Sequence, residues 1–175
     1  MAISVKASLQ TNQGFKQLAK FKKDFNKLAL EWAEVGFEAS DIHHTNERGK
    51  KEVVNMAELA IWLHEGTKDG RIPPRPFFER TLQQMVGSSE QAKLKPIVAR
   101  LFKGFKQNQD LDKHISKFLD EVGGVLRNNV KDNFGIENTI GLEKNSDFTI
   151  NQKGRDDPLV DTQKLKNSMK IKTSK

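Results

Sequence analysis

The chain has 175 residues, a formal net charge of +7, 35% hydrophobic and 30% charged residues, and neither Cys nor Tyr. That length fits one domain or a compact core with an appended arm, and the lack of Cys excludes disulfides, thiolate metal sites, iron–sulfur clusters and cysteine nucleophiles. The positive charge admits nucleic acid or an acidic protein surface as partner, while an apolar content this low implies either that part of the chain is disordered alone or that a partner completes the fold.

At the amino terminus Ile3, Val5, Ala7 and Leu9 alternate with Ser4, Lys6, Ser8 and Gln10, the period of a half-buried strand. Thr11 or Asn12 then caps a long amphipathic helix, in which Phe15, Leu18, Phe21, Phe25, Leu28, Leu30 and Trp32 recur at mainly helical spacing. Val35, Phe37 and Ala39 alternate with polar neighbours and predict a strand. Residues 43–51 are polar and charged, which predicts a hairpin tip or loop. From Val53 to His64 the pattern is helical again, with Met56, Leu59, Ala60 and Leu63 on one face, and residues 66–70 form the loop that ends it.

Pro73, Pro74 and Pro76 then hold the backbone extended, and Pro76 suits the first turn of a helix whose buried face is Phe77, Phe78, Leu82 and Met85. Two more helices follow. One carries Leu94, Ile97, Val98, Leu101, Phe102 and Phe105, and the other runs from about Leu111 to Val130. Gly123 and Gly124 inside the second each cost about 1 kcal/mol relative to Ala, so they predict a close packing contact or a kink. Beyond Asn133 apolar residues thin out until Pro158-Leu159-Val160, after which Asp161 caps a short helical turn through Leu165 and residues 169–172 form a last strand. The expected organisation is a core over 1–132, a polar arm or long loop over 133–157, and a turn and strand over 158–175 that return to the core or to a neighbouring subunit.

Patterns for catalysis and metal binding do not assemble. His64-Glu65 opens like a zinc-protease helix, but Lys68 stands where the second His is required. His43 and His44 are adjacent and point to different sides of any regular element. Gly49-Lys50 lacks the earlier glycine of a phosphate-binding loop, and no Gly-x-Ser-x-Gly elbow occurs. Asp156, Asp157 and Asp161 read as turn and cap residues before they read as cation ligands. No catalytic residue, cofactor or metal is therefore expected. Lys93, Lys95, Arg100, Lys103 and Lys106 make one basic cluster and Lys164, Lys166, Lys170, Lys172 and Lys175 another; either contacts phosphates or forms a solvated face. With no Tyr and with Phe on core stripes, no base-stacking platform is apparent. No run approaches the ~18 consecutive apolar residues of a membrane span, and the first ten residues lack a signal peptide's apolar stretch. A soluble protein made in a cytoplasm, with no membrane partner, is expected.

Two stretches in this order carry a resemblance. The first is residues 57–67, Ala-Glu-Leu-Ala-Ile-Trp-Leu-His-Glu-Gly-Thr, followed by Ile72-Pro73-Pro74-Arg75-Pro76-Phe77-Phe78. The second is residues 148–154, Phe-Thr-Ile-Asn-Gln-Lys-Gly, followed by Pro158-Leu159-Val160-Asp161-Thr162, Leu165 and Asn167-Ser168-Met169. Together they resemble the neck and tail-completion (head–tail joining) proteins of tailed bacteriophages. Glu65 meets Gly66 directly where that family has one more residue. Gln163 takes the place of a glycine after Asp-Thr, which argues against a left-handed backbone there.

The resemblance implies an α+β fold, a small antiparallel sheet packed by a long amino-terminal helix and further helices, with an extended carboxy-terminal arm. It implies a virion structural protein, assembled in the host cytoplasm, that forms a homo-oligomeric ring where tail meets head. A hexamer is favoured over a dodecamer. Its neighbours would be neck or connector proteins and tail-tube or tail-terminator proteins, with DNA passing through transiently. Tail terminator and basic DNA-binding module are the alternatives. The subunit-interface residues so implied are His64, Glu65, Thr67, Pro73, Arg75, Phe77, Asp161, Thr162, Leu165 and Ser168. Arg75, held between two prolines, suits a carboxylate on a neighbouring subunit, and at least one of Phe77 and Phe78 is expected in the chain's own core. The 133–157 arm is expected to be ordered across a neighbour, and removal of everything after Asp157 to abolish ring assembly.

Overall fold

In a computed structural model the described residues are 13–47, 50–86, 90–107, 110–135, 140–160 and 163–174. They form an α+β fold. Helix α1 (Gln13–Leu28) leads to strand β1 (Ala33–Gly36), hairpin strands β2 (Ile42–Glu47) and β3 (Lys50–Asn55), and helix α2 (Met56–Glu65). Helices α3 (Phe77–Met85), α4 (Glu90–Lys106) and α5 (Leu111–Asp132) follow. Short helices α6 (Asp147–Lys153) and α7 (Lys164–Ser168) precede strand β4 (Lys170–Thr173). The amino-terminal strand expected over residues 3–9 lies outside the described residues.

Among the described residues the β structure is two separate antiparallel pairs. β1 pairs with β4, with Val35 opposite Ile171, so that the chain's last strand closes on its first described one. β2 and β3 form a hairpin in which Ile42 faces Asn55 and Glu47 faces Lys50. Residues 43–51, read as a hairpin tip or loop, are thus mostly ladder. Val53 and Val54, read as the start of a helix, are strand residues. The helix waits for Asn55, whose side-chain oxygen accepts from Glu58 N (2.7 Å) while its amide donates to the Glu58 carboxylate (3.0 Å). That cap satisfies one backbone donor that an uncapped first turn leaves open, and the second bond holds the two side chains together.

The helix lying on the β1/β4 pair is α5, not the amino-terminal one. A Cβ at Gly123 would sit 2.7 Å from Ile171 Cγ2, so the missing side chain is what lets β4 approach the helix, whereas Gly124 has nothing within 4 Å. The glycine pair is therefore a packing contact at its first member. α1 stops at Leu28, short of the expected Trp32, and lies against α4 through Phe21, which stacks on Phe102 at 6.0 Å between ring centroids. Its Leu18 and Phe25 are exposed, as are Leu30 and Trp32 beyond its end.

Two cores result. Leu101 and Phe105 of α4 pack with Ile115 and Leu119 of α5. The larger core gathers Met56, Ala60, Phe77, Val130 and Phe134 with Leu142, Leu159, Val160, Leu165 and Met169. That membership corrects the expected arm. Residues 133–157 return to the chain's own core through buried Asn133, Phe134, Leu142 and Asp157, and Gly135 N donates to Pro158 O (3.1 Å) where the two ends of the excursion meet. The α3 face is corrected too. Leu82 is exposed, and the buried residue one turn after Phe77 is Thr81, whose hydroxyl accepts from Asn133 Nδ2 (2.9 Å) at the end of α5.

The two glycines of α5 make opposite predictions. Gly123→Ala should destabilise the protein by about 1–2 kcal/mol, overpacking against Ile171 outweighing the helix-propensity gain. Gly124→Ala should stabilise it by up to about 1 kcal/mol. Denaturant midpoints of the two variants check the difference in sign.

Candidate functional site

The first signature stretch folds as a helix end followed by a tight chain return. Gly66 closes α2, donating to Trp62 O (2.9 Å) with φ of 79°, a left-handed conformation that favours glycine. A Cβ there would lie 2.8 Å from Ile72 O and 2.9 Å from Pro74 N, both backbone atoms that cannot step aside. Thr67 fastens the returning strand from both directions: its N–H donates to Ile72 O (3.0 Å), and its hydroxyl accepts from Ile72 N (3.0 Å). That hydroxyl also donates to Asp69 (2.6 Å), and this bond, helped by the Arg71 backbone, holds the Asp69 carboxyl below its ordinary value.

The return delivers Arg75 to the end of α2, where its N–H donates to Leu63 O (3.0 Å) and His64 O (3.1 Å). Its guanidinium points inward. Nε donates to Glu143 O (2.7 Å) and Nη2 to Lys144 O (2.8 Å), and the residue is only 5% exposed. Burial draws its pKa down from the ordinary arginine value, against the opposing pull of Glu143 and Asp156. One turn into α3, Arg80 donates to Ile140 O (3.2 Å) and to Gly141 O. Two arginines thus grip residues 140–144 by main-chain carbonyls, which explains how an apolar-poor segment is held.

The second signature stretch is a capped helix. Ser146 Oγ accepts from Thr149 N (3.3 Å) at the start of α6, and Gly154 ends it in the left-handed conformation, donating to Ile150 O (2.7 Å). Lys153 Nζ reaches Val160 O (2.8 Å). Asp156 accepts from Asn145 N (2.9 Å) and Asp157 pairs with Arg155 (2.5 Å), so both serve the turn. Gln163 overturns the expectation drawn from its missing glycine. It is left-handed (φ 59°), opens α7 without a side-chain cap, and shares positive φ with Leu159 (63°).

Between these stretches lies an open cleft of about 290 Å³. Leu59, Leu63, Ile72 and Pro73 form one wall, and Thr149, Lys153, Leu159 and Leu165 the other. The structure thus brings the two signature stretches together, but it redistributes the expected interface residues. Phe77 is fully buried and offers no surface to a neighbour, Arg75 and Leu165 are buried in the chain's own core and reach a surface within the cleft, and Ser168 donates to Leu165 O (2.9 Å). His64 pairs with Glu79 (2.7 Å), drawing the Glu79 carboxyl below its ordinary value, and sets its ring edge-on to Phe77 at 4.8 Å. Pro73 is half-buried in the cleft, Thr67 is half-buried in the return, and Glu65 is exposed. Asp161 and Thr162 lie outside the described residues. Asn145, which lines the cleft with its Nδ2 buried and without a hydrogen-bond partner among the described residues, was not singled out by any sequence pattern. Among the described residues no three His, Asp or Glu side chains gather to hold a metal ion, and no helix is long and apolar enough to cross a membrane.

No family model, curated protein or solved structure matches this chain.

Arg75→Met should lower stability by about 2–4 kcal/mol, because it removes two charge-assisted hydrogen bonds and strands two carbonyls. Arg75→Lys should recover only part, since an ammonium cannot reproduce the fork. Urea denaturation of the three proteins checks the order. Gln163→Gly should raise stability by about 0.5–1 kcal/mol by relieving the left-handed strain, while Gln163→Ala should not; thermal melts of both variants test it.

Proposed function

We propose that this chain is a non-enzymatic virion structural protein of a tailed bacteriophage, a neck or tail-completion subunit that joins tail to head connector by assembling into a ring. The observation that supports the reading is the meeting of the two signature stretches. They are separated by some seventy residues of sequence, yet they form opposing walls of one cleft, and their Gly66, Thr67, Arg75 and Gly154 each have a structural task in building it. A likeness confined to chance dipeptides gives no reason for that convergence.

The surface is consistent with assembly. Leu30 (81% exposed), Trp32, Ile61, Trp62 and Val86 present large apolar side chains to solvent, and the adjacent Ile61 and Trp62 on α2 offer an apolar contact to a neighbour. A heterologous contact repeated around an axis closes into a ring, and a hexamer is the first expectation, a dodecamer the second. The arginine and proline segment then acts as scaffold for the subunit, and the ring contacts fall to exposed positions such as Glu65, Ile61 and Trp62. The cations of α4 carry the competing DNA-binding reading. Lys93, Lys95, Lys103 and Lys106 are exposed, while Arg100 is paired with Glu121 (2.7 Å).

Truncation after Asp157 is not a test of assembly, because it removes Leu159, Val160, Leu165 and Met169 from the core together with β4. Native mass spectrometry of the purified full chain, with proteomics of assembled particles, is the direct experiment. The expected result is a closed ring and ring-like copy number in particles, with Trp62→Asp shifting the purified protein to monomer while its thermal melt stays within a few degrees. A protein that stays monomeric and is absent from particles overturns the reading. A monomer whose duplex binding falls steeply with salt establishes the DNA-binding reading instead.

A further inference from the structure

The cleft between α2 and α6 has a chemistry of its own. Its apolar surface comes from Leu59, Leu63, Ile72, Pro73, Leu159 and Leu165. Around that floor stand Arg71, Arg75, Lys153 and Lys164, and no carboxylate side chain lines it among the described residues. Asn145 adds a donor, Nδ2, that is buried and without a partner among the described residues. Buried donors left unmet are uncommon and call for an acceptor. The volume of about 290 Å³ is at the small end of ligand sites and holds one or two side chains.

From this combination we infer that the cleft is a docking site for an acidic–apolar peptide segment of another protein, which inserts a leucine-sized side chain over Leu63 and Leu165 and lays a neighbouring carboxylate toward Asn145 and the basic rim. The commitment to a peptide rests on charge and shape together. An apolar floor alone would accept any greasy group, and a basic patch alone any anion; here both lie within one small cleft. The cations differ in task. Arg75 is held by the Glu143 and Lys144 carbonyls with the Glu143 and Asp156 carboxylates offsetting part of its charge, and Lys153 reaches Val160 O, so the positive potential from fixed positions comes mainly from Lys153. Arg71 and Lys164 are exposed at the rim and can follow the ligand. Arg71 gives up its surface pairing with Asp69 (3.1 Å) at little cost, since exposed ion pairs contribute ~0–1 kcal/mol. Hydrogen bonds hold the described parts of both walls, Gly66, Thr67 and the Arg75 fork on one side and the capped α6 on the other. Little of the binding energy then goes into ordering the site. The inference does not depend on the ring-assembly reading, since it concerns only what this cleft accepts.

The test uses the full chain, isotopically labelled for backbone amide NMR, titrated with acetyl-Leu-Asp-Leu-Glu-amide. The expected result is saturable shifts at the amides of Leu63, Ile72, Thr149 and Lys164. The matched peptide with Asn and Gln in place of the acids should bind about fivefold or more weakly. The double variant Arg71→Gln, Lys164→Gln, which touches only exposed side chains, should weaken the acidic peptide by a similar factor while its spectrum otherwise overlays the parent. Asn145→Ala should weaken it as well. Equal binding of the neutral peptide, shifts confined to the lysine face of α4, or no shift at millimolar peptide would overturn the inference. Butyrate binding as tightly as the peptide would overturn it too, by making the cleft a small-carboxylate site.

Discussion

The rest of this structure depends on a buried guanidinium that answers to main-chain carbonyls. Arg75 leaves solvent almost completely, and the Glu143 and Lys144 carbonyls receive it across a separation of 68 and 69 residues. A buried charge without partners is prohibitively unfavourable, and a fork that donates to fixed oxygens is among the stronger hydrogen-bonding arrangements available. Everything upstream serves that placement. The α2 terminus, Gly66 with Ile72 and Pro74 packed where a Cβ would be, and the extended proline segment all bring Arg75 to one point. Everything downstream follows from it, because gripping 143 and 144 sets where Leu142 enters the core and where α6 begins.

The second organising element is α5. It is long enough to belong to both cores: Ile115 and Leu119 face α4, and Val130 faces Phe77 and the returning carboxy-terminal segment. Midway, Gly123 admits β4. The closing strand therefore rests on a helix, and the pair β1/β4 joins the two ends of the described chain over a single element. α1 stands apart from the β1/β4 pair, attached to α4 by aromatic contacts, to the smaller core by Leu28 and to α5 by the Lys27–Asp112 ion pair (2.5 Å).

These placements change what the signature residues mean. Arg75, Phe77 and Leu165 have the chemistry expected of contact residues, but their contacts are made within the chain. They build the walls of a cleft, and of its polar lining Arg71, Lys164 and Asn145 lie outside the two stretches, whereas its apolar lining, Leu59, Leu63, Ile72, Pro73, Leu159 and Leu165, lies within them.

Much of the architecture was legible from residue order. The α4 and α5 helices, the loop after α2, the extended prolines and the last strand follow from periodicity and turn chemistry, which act over a few residues. The Gly123 contact was legible as a requirement, though not its partner, Ile171. What lay beyond the sequence was every feature decided by residues far apart in it. Leu82 has the position of a core residue, yet Thr81 takes the core because Asn133 meets its hydroxyl. Gln163 has no intrinsic preference for a left-handed backbone, yet it takes one between the buried Leu159 and Leu165. The polar run 133–157 has too few apolar side chains to declare itself part of a core, and it is ordered by arginines that grip backbone oxygens, groups every residue carries alike. Sequence alone determined a basic, cysteine-free α+β chain with two stretches that carry a resemblance; tertiary structure decided that they face one another, because Leu59 and Leu63 share a core with Leu159 and Leu165 and the Arg75 bonds that hold residues 143 and 144 run to main-chain atoms, which leave no trace in side-chain pattern.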